Sequence, residues 1–387
     1  MTSMQSIVTG LLFIFASAIV QAGSIEVNVS NDPGDGSTPG TLSWALDQAN
    51  NDPGQATITL STDVLLIGPM QVMIDSDVAI QSDATRRSID GNESHRPLFI
   101  RSGTVSLESL NLVNGRARGG TSTGSGGGAG MGGAIFILDG RVTIHDVNFI
   151  NNLAYGGRGG ATGVGAGAGM HGNAFGDAGA GLHEDSSGIV GDGAGDNGGQ
   201  SNVLDDGGNG GFGGGGGWSI FADGGSGGFG AGGGNGKNGG HGGFGAGGGA
   251  SRSGFSAAGS QVGGNGGFGG GGGYGPFGSG QGGWAGGTAL RGGDGAGLGG
   301  AIFVHAGTLD LFDSSFNDNK ATPGGNTALA HGGDLFICTA DLHATAASCN
   351  GTARANDATE IPDVFGDLGS NEDPLFQDRF EQIALNF

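Results

Sequence analysis

Short apolar runs broken by Gly, Asn and Asp recur near both ends of the chain. Residues 25–29, 57–60, 64–67 and 78–80 (IEVNV, TITL, VLLI, VAI) are rich in β-branched side chains and bounded by turn formers, the pattern of strands. One segment carries a helical period instead. Leu42, Ala45, Leu46 and Ala49 fall on one face, Thr41 supplies an N-cap, and Asn51-Asp52-Pro53-Gly54 ends the run. A longer apolar stretch, 7–20, leads into Val20-Gln21-Ala22 and Gly23, which predicts a cleaved signal peptide over 1–22. It is shorter than the roughly 20 residues a bilayer span needs, and no later segment is apolar enough to cross a membrane. The mature chain is therefore expected to be exported and without a transmembrane span.

The chain also repeats itself. Residues 132–153 (GGAIFILDGRVTIHDVNFINNL) and 299–320 (GGAIFVHAGTLDLFDSSFNDNK) align without a gap, identical at nine of 22 positions. Fainter copies run over 98–112 and from Gly332. Each copy reads as three short strands (135–138, 141–144 and 147–150 in the first), too small to bury its own apolar face but able to stack. Stacking predicts an all-β fold, a parallel β-helix or solenoid, right-handed because crossover connections favour that hand. Ile135, Ile137, Val142, Ile144, Val147 and Phe149 should point inward, with Ile302, Val304, Leu309, Leu311 and Phe316 as their equivalents. Asn152 and Asn319 fall at matching corners, where Asn tolerates a left-handed backbone. The helix near Trp44 is expected to cap the open end.

These residues carry a family resemblance. GGAI at 132–135 and FxxN at 149–152, repeated at 299–302 and 316–319, resemble the repeats of the polymorphic outer-membrane proteins and related adhesin-like β-helical proteins of Gram-negative bacteria. The segment GTLSWAL at 40–46 is similar to the N-terminal cap of such proteins. The resemblance covers roughly 25–156 and 299–349, and implies fold more than activity. Autotransporter members carry a C-terminal membrane barrel, and the residues after Cys349 are too few to build one.

Glycine interrupts this pattern: 96 of 387 residues, concentrated in 157–297. Nine successive positions spaced by three, 224 to 248, are all glycine, and NGGFGGGGG and GGFGAGGG each occur twice. A period of three suits extended glycine helices that bundle, with Phe212, Phe229, Phe244 and Phe268 plugging the outside; a flexible chain is the alternative. The calcium-binding nonapeptide is not iterated. The expected organisation is signal peptide 1–22, β-helix 23–156, glycine-rich insertion 157–297, β-helix 298–349 and acidic tail 350–387.

Charge narrows the partners. With 36 acidic and 14 basic residues the formal net charge is −22, which argues against nucleic acid and anionic lipid. Export would pair Cys338 with Cys349 in a disulfide. No metal-ligand spacing, nucleophile signature or cofactor motif is present, so no catalytic, cofactor or metal residue is assigned, and the eight histidines read as surface or packing residues. Two function classes remain. The preferred one is a non-enzymatic, secreted or cell-surface (outer-membrane-associated) adhesin-like protein that presents a glycine-rich loop to a cell-surface or extracellular-matrix glycan or protein. The other is a β-helical polysaccharide lyase or hydrolase, for which Asp139, Asp146, Asp310 and Asp313 are the candidate carboxylates, with scattered arginines such as Arg101 and Arg141 beside them. Asp146 and Asp313 take equivalent turn positions and could lie adjacent.

Overall fold

The apolar runs become strands that pair only in parallel. In the computed structural model, which describes residues 23–52, 54–160, 162, 165–186, 192–252, 261–342, 349–356, 359 and 361–370, every strand ladder between them is parallel. The expected signal peptide lies outside the described residues. No helix of the described residues is long and apolar enough to cross a membrane.

Three main sheets collect the strands. The longest has eight, in the order Gly23–Val27, Ala56–Leu60, Val78–Ser82, Thr104–Glu108, Arg141–His145, Ala306–Phe312, Asn350–Ala355 and Leu368–Ser370. A six-stranded sheet holds Asn148–Ile150 between Leu110–Val113 and Ser315–Asn317. A five-stranded sheet runs from Leu98–Ile100 through Ile135–Ile137, Ile302–Val304 and Leu335–Ile337 to Val364–Phe365. Two three-stranded sheets complete the set, one through Leu153–Tyr155 and one through Gly297–Leu298. Each full unit thus has more than the three strands expected from its sequence.

Register explains the repeat. Ile135 lies opposite both Leu98 and Ile302, so the two aligned copies are neighbours in the stack although the second lies 167 residues further along the chain. Val142 and Ile144 face Val105 and Leu107 on one side and Leu309 and Leu311 on the other, all inside one apolar core. All eleven inward positions read from the sequence belong to that core. Phe149 and Phe316 stack there at 4.6 Å. The helix Leu42–Asn50 forms as its period predicts, with Thr41 Oγ1 accepting from Trp44 N, and Leu42, Ala45, Leu46 and Ala49 add its apolar face to the same core.

The corners are equally regular. Left-handed backbone recurs at Gly103, Gly140 and Gly307, at Ser109, Asp146 and Asp313, and at Asn114, Asn151 and Asp318. The last column corrects the reading of Asn152 and Asn319, which are not themselves left-handed; the residue before each is. Asn152 is buried, its Oδ1 accepting from Gly115 N and its amide donating to Leu112 O and Asn319 Oδ1. Asn319 continues the line to Phe149 O and Asp334. Buried amides satisfied in this way fix register as well as stability.

Where it is described, the glycine block forms extended runs joined by backbone hydrogen bonds. Gly210, Gly213 and Gly216 donate to Ser226, Phe229 and Gly232; Gly227, Gly230 and Gly233 donate to His241, Phe244 and Gly247; Gly245 and Gly248 donate to Phe268 and Gly271. A bond at every third residue is the signature of extended three-residue-per-turn helices bonded side by side. A Cβ at Gly247 would sit 2.0 Å from Gly126 O, which is why this packing needs glycine. The same packing takes in Gly119, Gly120 and Gly126 to Gly128, so it begins before residue 157. At the other end Asn350–Ala355 and Leu368–Ser370 extend the long sheet, so residues 350–370 are not a tail. Residues 371–387 lie outside the described residues.

Phe212, Phe229, Phe244 and Phe268 do not plug the outside of the block. Phe212, Phe229, Phe244, Phe268 and Trp284 form one stacked row, 5.1–5.3 Å between successive rings. Each precedes a residue of positive φ, Gly213, Gly230, Gly245, Gly269 or Ala285, at a tight turn. A second row, Phe99, Phe136, Phe303, Phe336 and Phe365, stacks along the five-stranded sheet at 4.8–5.1 Å. The rows meet edge to face: Phe229 on Phe136, Phe244 and Phe268 on Phe303, Phe268 on Phe336. The block is thereby docked on the outer face of that sheet through a second apolar core.

Candidate functional site: a cationic pocket beside the docked block

Docking leaves a cavity of about 690 Å³ between the sheets and the block. The tight turn at 91–94, closed by His95 N donating to Gly91 O, presents His95 and Arg96 just before the strand Leu98–Ile100. Arg96 is buried, its Nε and one Nη donating to the carbonyls of Gly132 and Met131 at 2.8 and 2.7 Å. Its guanidinium lies 5.6 and 5.4 Å from the Phe99 and Phe136 ring centres. Strands Arg116–Arg118 and Leu153–Tyr155, paired side by side, add Arg118 and Tyr155 to the wall.

The block supplies the opposite wall. Gly120 N donates to Gly169 O, and Thr121 N to Asn173 Oδ1, which ties the segment 169–173 to the end of the first units. His171 and His183 then line the cavity with their rings stacked at 5.4 Å. His183 Nε2 is buried with no hydrogen-bond partner. Burial holds both imidazoles neutral: it drives His183 down to about 4, with the Arg96 charge adding to it, and lowers His171 well below the usual histidine range, again with Arg96 as the next cause. Burial also lowers His95 and brings the Arg96 guanidinium down to about 9, still protonated at neutral pH.

To the reading of the histidines as surface or packing groups the structure adds that three of them line one cavity. Packing does describe His305, buried with its ring edge-on to Phe244 at 4.5 Å. His95, His171 and His183 instead converge from two distant parts of the chain. A signal for two of them exists in the sequence, where AGMH at 168–171 and AGLH at 180–183 repeat within the block.

Of the four candidate carboxylates only Asp146 and Asp313 come together. Asp146 and Asp313 do sit at equivalent left-handed corners of neighbouring units, with Asp146 N donating to Phe312 O. Asp146 is bonded by Arg86 and Ser109 Oγ and Asp313 by His145 Nε2 at 3.1 Å and Asn356 Nδ2, with the His145 ring also acting on Asp146. Arg86 holds the Asp146 carboxyl below the usual carboxylate range. Asp310 is buried inside the long sheet opposite Thr143 and Arg354, where burial raises its carboxyl. Asp139 closes a turn by accepting from Gly140 N. Arg101 is spent on Asp75, and Arg141 lies on the long sheet opposite Thr104 and Thr308.

Cys338 and Cys349 are joined, with Cα atoms 5.0 Å apart, in the connection between Leu335–Ile337 and Asn350–Ala355. Among the described residues no group of three or more His, Cys, Asp or Glu could hold a metal ion. No protein-family model, curated protein or solved structure matches this chain.

Proposed function

We propose that the chain is an exported, non-enzymatic, adhesin-like protein, secreted or held at the cell surface. Its parallel sheets wind as a right-handed β-helix capped by the helix Leu42–Asn50, with residues 157–297 inserted between two stacked units. The crossover rule supports the hand, and in-register pairing of the aligned copies supports the insertion.

The observation that carries the functional reading is the far rim of the glycine block. Loops at the ends of the extended runs away from the aromatic turns expose Leu204 (72%), Phe221 (51%), Phe277 (76%) and Leu290 (86%). Phe221 N donates to Val203 O and Phe277 N to Gln261 O, so these side chains stand on hydrogen-bonded loops. Apolar side chains held out to solvent on a rigid support suit contact with another surface. Asp146 and Asp313, each held by its own hydrogen bonds, support a structural role for the corner carboxylates.

The partner in this reading is a cell-surface or extracellular-matrix glycan or protein. The test compares adhesion of labelled mature protein, beginning at Gly23, with that of a variant carrying Leu204→Ser, Phe221→Ser and Phe277→Ser. Adhesion should fall while the melting temperature holds. Undiminished adhesion, or cleavage of a polysaccharide by the wild type that Asp146→Asn with Asp313→Asn abolishes, defeats the reading.

A further inference from the structure

We propose that the cavity between the sheets and the glycine block binds an acidic sugar through its carboxylate. The inference stands whether or not the protein is an adhesin, since it uses none of the rim residues.

A chain with a formal net charge of −22 places Arg96, Arg118 and three histidines around one cavity. Neither arginine forms an ion pair among the described residues. A guanidinium has five N–H donors; Arg96 uses two on backbone carbonyls and faces two aromatic rings, but among the described residues no carboxylate pairs with its buried charge. Burying a charge without a counter-charge is costly, and an entering oxyanion removes that cost. His183 Nε2, buried and unpartnered, is a second group that a ligand oxygen would satisfy. The two observations are independent, one from charge and one from hydrogen bonding.

Size and lining choose among oxyanions. The volume falls within the roughly 300–1,000 Å³ of small-molecule sites and far exceeds what a bare sulfate or phosphate fills. Met70, Leu153 and the Tyr155 ring offer apolar wall beside the cationic one. That combination fits a sugar ring with an anionic arm: one face against apolar carbon, hydroxyls toward Ser94, Thr121 and Asn173, carboxylate toward the arginines and histidines.

The test is titration calorimetry on the mature chain with glucuronate, glucose and sulfate. Glucuronate and glucose differ only in the carboxylate. Glucuronate should bind saturably and at least about tenfold more tightly than either comparator, a difference of about 1.4 kcal/mol. Arg96→Met risks the fold because that side chain ties Met131 and Gly132. The informative variants are therefore Arg118→Ala, at an exposed position, and His183→Gln. Both should keep the unliganded melting temperature of the wild type within a few degrees and weaken glucuronate several-fold. Glucuronate binding no tighter than glucose overturns the proposal, as does wild-type affinity in both variants. Sulfate binding as tightly as glucuronate overturns the sugar and leaves a bare-anion site.

Discussion

Replacing Phe268 by alanine tests whether the glycine block is held by its aromatic row. Phe268 is fully buried, stacked on Phe244 at 5.1 Å and Trp284 at 5.2 Å, and edge-on to Phe303 and Phe336. Truncating a buried phenylalanine costs about 3–5 kcal/mol. Contact with rings on four sides puts this site at the upper end, since each aromatic pair adds about 0.5–1.5 kcal/mol beyond area burial. The backbone at 268–269 is a tight turn whose positive φ belongs to Gly269, so the alanine is tolerated by the chain and the loss is one of packing. Urea unfolding followed by tryptophan fluorescence reads it directly, because Trp284 touches Phe268 and Trp218 lies in the same block, whereas Trp44 reports the helix packed on the sheets. The block signal should move to lower urea while the Trp44 signal shifts less. Phe277→Ala, at an exposed loop, is the control and should stay within about 0.5 kcal/mol. A loss below about 1 kcal/mol for Phe268→Ala would refute docking through the two rows.

Two further outcomes follow from single sites. Gly247→Ala should destabilise the block sharply, because its Cβ would meet Gly126 O at 2.0 Å, whereas Gly278→Ala meets only Val262 Cγ1 at 3.2 Å and should be mild; equal melting temperatures for the two variants would contradict the side-by-side packing. His183 and His171 are depressed in the folded chain and titrate near 6.5 when unfolded. Their contribution is present above pH 6.5 and is lost as pH falls toward 4, because only the unfolded state takes up the protons. His183→Gln should therefore reduce the fall in melting temperature across that window, leaving the part due to His171; superimposable profiles would show that His183 is not held neutral.

Local periodicity made part of this architecture legible. The helix from Leu42 and the alternating inward residues, Val142 with Ile144 or Leu309 with Leu311, follow from a two- or 3.6-residue period that needs no partner to be seen. Phe136 and Phe303 escaped because they sit in runs, IFI and IFV, that are apolar at every position. Such runs mark strands buried on both faces, and the second face required a partner that sequence spacing could not place. The left-handed corner is less legible, because asparagine recurs in both copies at 152 and 319 whereas the strained residue before it is Asn151 in one and Asp318 in the other. The pocket was the least visible feature, because one wall comes from segments around residues 70, 95, 118 and 154 and the other, around 171 and 183, faces it only once the block has docked.

The in-register return of the chain after the glycine block sets an order of assembly. Pairing between the units at 98–118 and 135–155 closes over 37 residues, and the bonds from Gly213 to Phe229 or Gly230 to Phe244 close over even shorter spans. Pairing of Ile135 with Ile302 closes over 167. Closing a long loop costs entropy unless the intervening chain is already folded short, and distant contacts slow folding. The edge formed by Ile135–Ile137 and Arg141–His145 is therefore expected to pair with residue 302 and its neighbours only after the glycine runs have bonded to one another. Prior collapse of the block would shorten the tether, so the strands after it are expected to be the last to add to that edge.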